Sequence, residues 1–184
     1  MASRDPLADP ERAIRRVYAY AAYRLGHGAD AEDVTGQVIE RALRYRSSYD
    51  PRLGEPTSWL IGIARKCVDD VFRDRARGSA PEHQPGDVDD LETSTLERLS
   101  VSDAVAGLEP RDRELIALRY GADLSTREIA RLLDMEPNAI DVALHRARVR
   151  LRDELEGSGV ETRSARHYPA APASRKVRPT APEG

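Results

Sequence analysis

The chain has 184 residues, of which 33% are charged and 5% aromatic, and its formal net charge is -3. This length allows one medium domain or two small ones, and the scarcity of aromatic residues favours small helical units over one large core. The acidic balance argues against a nonspecific coat on nucleic acid, although a basic face can coexist with an acidic segment elsewhere in the chain. The single cysteine, Cys67, excludes an intrachain disulfide and a cysteine-cluster zinc site. Its position on an apolar helical stripe predicts a buried structural thiol.

No stretch approaches the roughly 18 consecutive apolar residues of a membrane span, and the amino terminus lacks the apolar core of a signal peptide. We therefore expect a cytoplasmic protein. The four histidines are scattered without partner motifs, and there is no glycine-rich phosphate loop. The sequence accordingly predicts no catalytic site, no metal or other cofactor, and no small-molecule substrate.

The first predicted unit, residues 10–77, carries three helical patterns. Asp9 followed by Pro10 predicts the start of the first helix, which ends at Gly26. Its apolar stripe is formed by Ile14, Val17, Tyr18, Ala21 and Leu25. Asp30 can cap the second helix, whose polar outer face is either solvated or docks a partner. That outer face carries Asp33, Gln37, Glu40, Arg41 and Arg44.

The third helix follows a loop over residues 45–56 and can be capped by Thr57 or Ser58. Trp59 lies in its first turn, off the centre of the buried stripe. A large aromatic side chain there is either a lid on the core or a platform on which an unpaired base stacks. The spacing leaves both interpretations open.

Two segments differ in composition from the helical units. Residues 78–98 combine structure-breaking prolines with a run of acidic side chains, which predicts a flexible acidic linker. Residues 157–184 are basic, rich in Pro, Ala and Ser, and lack periodicity, which predicts a basic disordered tail. No alternation of apolar and polar residues indicates a sheet. The predicted fold class is therefore all-α, with two small helical domains joined by the acidic linker.

The second predicted unit, residues 99–156, contains a helix-turn-helix over about residues 125–146. Ser125 and Glu128 have the spacing of a capping box, so a helix begins there, and residues 134–137 interrupt it before the next helix. At about 100° per residue, this next helix has an apolar stripe backed by Asn, His and Arg. These residue types can read base edges in the major groove and can neutralise the phosphates of the DNA backbone beside it. Taken alone, the arginines could equally be the solvated charges of an ordinary surface helix.

Motifs in the two units occur together in one family. The first unit has an Asp-Ala-Glu-Asp helix start at Asp30, an Asp-Pro loop with a glycine, and a Trp-Leu-x-x-Ile-Ala-Arg run ending at Arg65. The second has Arg-Glu-Ile-Ala from Arg127 and His-Arg-Ala-Arg-x-x-Leu-Arg from His145. In these motifs the chain resembles bacterial sigma-70-type RNA polymerase sigma factors of the extracytoplasmic-function (ECF) group, whose domains two and four they match.

The resemblance implies a non-catalytic specificity subunit that binds core RNA polymerase, recognises promoter DNA and helps to melt it, so that both double-stranded and melted promoter DNA are partners. It places polymerase contacts on the second helix, at Asp33, Gln37, Glu40, Arg41 and Arg44. It assigns the minus-ten element to Tyr49, Asp50, Trp59, Arg65, Lys66, Asp69 and Arg73. It assigns the minus-thirty-five element to Arg127, Asn138, Asp141, Val142, His145, Arg146, Arg148 and Arg152.

The resemblance also implies an anti-sigma factor as a partner, through which the protein can be held at the membrane. Three features depart from the family's common pattern: Gly36-Gln37 stands where Gln-Glu is usual, Asp141 stands where a basic residue is frequent, and the basic tail after Gly157 exceeds the minimal architecture. The alternative function is a stand-alone helix-turn-helix regulator with an amino-terminal sensing or dimerising domain. Such a regulator would bind an operator as free protein, whereas a sigma factor depends on core polymerase.

Overall fold

A computed structural model describes residues 5–78 and 94–164, with side chains described for 5–78 and 101–156. Within these ranges the chain is all-α, as predicted, and has no strand. A 3₁₀ turn at Arg46–Ser48 follows the second helix, and a π-helical turn at Ala117–Gly121 continues the fifth. The α-helices are α1 (Pro10–Leu25), α2 (Ala29–Tyr45), α3 (Pro56–Ala76), α4 (Ser94–Gly107), α5 (Pro110–Ile116), α6 (Thr126–Leu133) and α7 (Pro137–Ser164).

Helix α1 begins and ends as predicted, but its buried side is broader than one stripe. The Asp9 carboxylate accepts a hydrogen bond from the Arg12 amide at 3.0 Å, which caps the helix. Val17 is buried as predicted, whereas Ile14 is 45% exposed. Helix α1 packs against α2 and α3 on one side and against α5 and the π-helical turn on another. Tyr20, which lies outside the predicted stripe, is therefore also fully buried.

The predicted caps of α2 and α3 are wrong. Helix α2 begins directly after Gly28, and the Asp30 carboxylate pairs instead with Arg75 near the end of α3. Helix α3 begins at Pro56, because proline is pre-organised for the first helical position. Ser58 is thereby already inside the helix and its hydroxyl contacts α6 rather than the α3 backbone.

Both ends of the second unit extend beyond their predicted boundaries. Helix α4 begins at Ser94, inside the segment predicted as linker, and α7 continues to Ser164, inside the segment predicted as disordered tail. Each glycine at positions 157 and 159 costs a helix about 1 kcal/mol relative to alanine but does not end it. The first proline of the tail is Pro169. The predictions for residues 79–93 and 165–184 lie outside the described residues.

The two predicted units pack against each other around a shared core. Helix α1 contacts α5 and the π-helical turn, and α3 contacts α6. The buried cluster accordingly joins Val17 and Tyr20 of the first unit to Leu118, Leu124 and Ile129 of the second. The sequence predicts the two units but not this closed arrangement. Cys67 is buried in the same core, as predicted. Across 5–78 and 94–164, no helix has the length and apolar character needed to span a bilayer.

Candidate nucleic-acid interface

The helix-turn-helix begins with the predicted capping box. The Ser125 hydroxyl accepts from the Glu128 amide at 3.3 Å, and the Glu128 carboxylate accepts from the Ser125 amide at 2.8 Å. Burial favours the neutral carboxyl of Glu128, but hydrogen bonds from Ser125 and from the Ser58 hydroxyl outweigh it, so the pKa of Glu128 lies below its ordinary value. The start of α6 is therefore held by an ionised carboxylate.

The turn between α6 and α7 is as short as the sequence predicts. Asp134 adopts a left-handed backbone conformation with φ of 53°, which aspartate tolerates better than most residues. The next amide, of Met135, donates to the Ala130 carbonyl at 2.9 Å and closes the end of α6. Pro137 then begins α7. The two helices are thus held at a fixed relative orientation by local backbone geometry.

Helix α7 presents one face to the core and the other to solvent. Ile140, Leu144 and Ala147 are buried, as the predicted apolar stripe requires. Val149 adds an exposed apolar side chain on the outer side of the helix, beside the residues predicted to contact DNA. All eight residues predicted for the minus-thirty-five element are exposed: Arg127 on α6, and Asn138, Asp141, Val142, His145, Arg146, Arg148 and Arg152 on α7.

The predicted polymerase-docking residues form a mostly exposed face of α2. Four of them are exposed, and Arg44 donates to Glu40 one turn away at 2.8 Å. Arg41 is half-buried and lies 3.6 Å from Asp70 of α3, which also pairs with Arg73 at 2.8 Å. The remaining exposed members are Asp33 and Gln37. Helix α2 packs mainly on α1 and α3, so the second unit does not cover this face.

The residues predicted for the minus-ten element are in three different environments. Tyr49 is only 8% exposed, and its hydroxyl donates to the Gly54 carbonyl at 3.1 Å. Burial, followed by the nearby carboxylates of Glu55 and Asp50, raises the pKa of Tyr49. Trp59 is half-buried, packs on the core, and has its ring centre 5.7 Å from that of Tyr49. The exposed members of the set are Asp50, Lys66, Asp69 and Arg73.

Arg65, the last predicted minus-ten residue, is directed at the second unit. Its Nε lies 2.6 Å from a carboxylate oxygen of Glu114 on α5, and one terminal nitrogen donates to the Leu132 carbonyl at 3.3 Å. Helical spacing does not predict this contact, because Arg65 and Glu114 belong to different helical patterns. Where side chains are described, no group of three or more His, Cys, Asp or Glu residues could hold a metal ion.

Family models match both helical units. The model described as Sigma-70 region 2 matches residues 11–78, and that described as Sigma-70, region 4 matches residues 98–151. An ECF RNA polymerase sigma factor, BldN of Streptomyces coelicolor, is 35% identical over 139 residues, covering 71% of this chain. The match spans about half of that relative, 53%. An RNA polymerase sigma-E factor of Streptomyces antibioticus is 30% identical over 138 residues, covering 73% of this chain and 76% of that protein.

Two solved structures share the fold. The sigma factor RpoE in complex with the anti-sigma factor NepR, from Bartonella quintana, gives a TM-score of 0.62 at 20% identity, covering 78% of this chain and 92% of that chain. CnrH in complex with the cytosolic domain of CnrY gives a TM-score of 0.60 at 19% identity, covering 84% and 99%. At these identities the comparison concerns the fold, and it extends over both helical units.

Proposed function

The chain belongs to the sigma-70 family of RNA polymerase sigma factors, in the ECF group, and we propose that it binds core polymerase through α2 and promoter DNA through α3 and the helix-turn-helix. It is an RNA polymerase sigma factor that directs transcription from promoters. The observation that carries this conclusion is the presence of region 2 and region 4 in one chain, since a stand-alone helix-turn-helix regulator has no need of region 2. As a specificity subunit it leaves the chemistry of RNA synthesis to the polymerase.

Polymerase docking is proposed for the exposed face of α2. Charged and amide side chains on one helical face suit a polar protein surface, where charge complementarity gives specificity and speeds association. The Glu40–Arg44 pair stays at the solvent-exposed surface, where such a pair contributes little to stability and is available to a partner. The proposed contacts are Asp33, Gln37, Glu40, Arg41 and Arg44.

The outer face of α7 is proposed to read the minus-thirty-five element. Asn138 and Arg146 can make paired hydrogen bonds to base edges, and Val142 can contact a thymine methyl group. His145 lies on the same exposed face. Phosphate contacts, which position the helix without reading sequence, are assigned to Arg127, Arg148 and Arg152. Asp141 can accept a hydrogen bond from cytosine but repels phosphate.

Recognition and melting of the minus-ten element are proposed for α3 and the loop before it. Lys66 and Arg73 are exposed cations that can contact phosphate, and Asp50 and Asp69 are exposed acceptors. Tyr49 and Trp59 form a packed aromatic pair beside them. An unpaired base could stack on the open side of Trp59, which would offset part of the cost of unstacking that base.

An anti-sigma factor is proposed as a further partner, in the cytoplasm or at its membrane face. Both solved neighbours were determined as complexes with anti-sigma proteins, and both cover most of this chain. Sequestration through the α2 face would compete directly with polymerase docking. Attachment of such a factor to the membrane would hold the protein there.

Run-off transcription with core polymerase on a genomic library tests the function and yields the promoter sequence. We expect specific transcripts with core polymerase and weak promoter binding without it. Arg146→Ala should reduce promoter-specific transcription, whereas Arg15→Ala, at an exposed position of α1 outside the proposed sites, should not. Tight binding of the free protein to a palindromic site, unchanged by core polymerase, would instead support a stand-alone regulator.

A further inference from the structure

The solvent-facing side of α7 carries an apolar side chain beyond those assigned to the minus-thirty-five element. Among residues 137–156, the exposed large apolar side chains are Val142, at 46% exposed, and Val149, at 43% exposed. They are seven residues apart, which is close to two helical turns, so they lie in line on one face of the helix. Val142 has a proposed role, contact with a thymine methyl group, whereas Val149 has none.

Neighbouring residues of α7 hold Val149 on the solvent side. Ala147 is fully buried, and Leu151 packs against the buried cluster that includes Ala147. Arg150 pairs with Asp112 of α5, whose side chain is only 9% exposed. These contacts anchor the helix immediately before and after Val149. The rotation of α7 at this point is therefore set by the fold, and its outer face is presented in a fixed orientation.

Exposed cations border Val149. Arg146 and Arg152, three residues before and after it, are both exposed, and so is Arg148. Two valines are too few to form the extended apolar patch that marks a protein interface. Arginines around an apolar side chain suit DNA instead, because arginine neutralises phosphate while an apolar side chain contacts the methyl group of thymine. The surroundings of Val149 thus favour a DNA contact over a protein contact.

The line through the two valines has the spacing of a base-reading helix. The exposed residues at positions i, i+3, i+4 and i+7 of this line are Val142, His145, Arg146 and Val149. The recognition helix of homeodomains reads the major groove from four residues with this spacing. Residues at i and i+7 are about 10.5 Å apart along the helix axis. This distance corresponds to about three base-pair steps of about 3.4 Å each.

We propose that Val149 is a further specificity-determining residue, which contacts the methyl group of a second thymine, about three base pairs from the thymine contacted by Val142. The hydrogen-bonding side chains of His145 and Arg146 lie between the two methyl contacts. The base-reading part of α7 then extends by one helical turn. This inference rests on the proposed function, since it requires α7 to read the minus-thirty-five element.

The test removes single methyl groups from the DNA. A promoter identified by run-off transcription is prepared with thymine at each position of the minus-thirty-five element in turn, on either strand. Each thymine is compared with deoxyuridine, which pairs in the same way but lacks the methyl group. Binding is measured with the complex of the full chain and core polymerase. We expect two methyl-sensitive positions about three base pairs apart, each changing affinity by about fourfold, the effect of burying one methyl-sized group.

Two alanine variants assign each methyl contact to its valine. Val149→Ala should abolish methyl sensitivity at one position and keep it at the other, and Val142→Ala should do the reverse. On the promoter with deoxyuridine at its own position, Val149→Ala should bind as the parent protein does, because the methyl contact is already missing. Val101→Ala changes an exposed valine of α4, at 38% exposed, and is the matched control that should keep both sensitive positions.

Far-UV circular dichroism should show that the three variants retain their helices, since each changes an exposed side chain. A methyl pattern that Val149→Ala leaves unchanged would overturn the inference. A loss of affinity for core polymerase in Val149→Ala, with the methyl pattern intact, would also overturn it and would place the valine in a protein contact. Run-off transcription by the parent protein decides the proposed function, and the methyl pattern decides the role of Val149, so the two failures are distinguishable.

Discussion

The hydroxyl of Thr126 donates a hydrogen bond of 2.8 Å to the carboxylate of Asp141 and so joins the first turn of α6 to α7. Asp141 nevertheless remains exposed on the face proposed to read DNA. Its negative charge repels the phosphates of a DNA backbone. The same carboxylate supports the helix-turn-helix and lies on the face that is proposed to read DNA, and these two roles can be separated by mutation.

Asp141→Asn should change promoter preference while leaving stability nearly intact. The asparagine carbonyl can still accept from Thr126, but the negative charge is lost, so phosphate repulsion falls and discrimination at one base pair changes by about 1–3 kcal/mol. Thr126→Val should instead lower the free energy of unfolding by about 1 kcal/mol without changing base preference. Promoter selection with the polymerase complex and urea denaturation measure the two effects. If both variants changed the base preference in the same way, the structural role and the DNA-reading role of Asp141 would not be separable.

Glu128→Gln should reduce stability in a pH-dependent manner. Hydrogen bonding holds the folded-state pKa of Glu128 below its ordinary value. The ionised carboxylate therefore contributes fully to the free energy of unfolding at pH values above the ordinary glutamate pKa, and this contribution is lost as pH falls through the folded-state pKa. Near neutral pH the variant should be less stable by about 1 kcal/mol, the usual size of a helix cap.

Urea denaturation as a function of pH measures this difference. The difference in the free energy of unfolding between the parent protein and Glu128→Gln should become smaller as the pH is lowered. Ser58→Ala, which removes only the hydrogen bond from α3, serves as the control and should retain the capping box. If this difference in stability stayed constant through the acid range, the charge of Glu128 would not contribute to capping α6.

The local elements of the DNA-reading unit could be predicted because their causes are local. The Ser125–Glu128 cap, the turn at Asp134 and the exposed side of α7 each depend on residues within a few positions of one another. Short-range spacing determines which backbone donors are satisfied and which face of a helix is apolar. The exposed minus-thirty-five set could thus be selected from the sequence, although its DNA contacts stay a prediction.

The packing between the units could not be predicted in this way. A helical stripe shows that a face is buried but not what covers it, so Tyr20 and Arg24 on the second side of α1 gave no recognisable pattern. Glu114 in the short helix α5 is an ordinary surface carboxylate by sequence and acquires its partners only in the closed fold. Tyr49 is similar, since its loop is polar but its ring is buried against Trp59.

Trp59→Ala distinguishes the lid from the stacking platform. If the ring stacks on an unpaired base, the variant should lose activity on duplex promoters and recover much of it on a template pre-melted at the minus-ten element, because the unstacking cost is then already met. If the ring only packs, stability falls and pre-melting gives no selective recovery. Run-off transcription on matched duplex and pre-melted templates makes the comparison.

Tyr49→Phe is the matched control for that experiment. It retains the aromatic ring beside Trp59 but removes the hydroxyl that donates to the Gly54 carbonyl, which should cost about 1 kcal/mol of stability. Its activity on duplex and pre-melted templates should fall in the same proportion. Selective rescue of Tyr49→Phe by pre-melting would indicate that the loop conformation, rather than the Trp59 ring, limits melting.

Arg148→Ala and Asn138→Ala should weaken promoter binding in different ways. Each phosphate contact releases counterions, so losing the Arg148 contact should reduce the slope of log affinity against log salt by about 0.9 and affect all promoter sequences similarly. Asn138→Ala should leave the slope unchanged but reduce discrimination at one base pair by about 1–3 kcal/mol. Both side chains are exposed on α7, so neither change removes core packing.

Salt titrations of promoter binding by the polymerase complex, on cognate and single-substitution promoters, measure both the salt slope and the base discrimination. If Arg148→Ala instead reduced affinity for particular bases without changing the salt slope, Arg148 would contact base edges rather than the phosphate backbone.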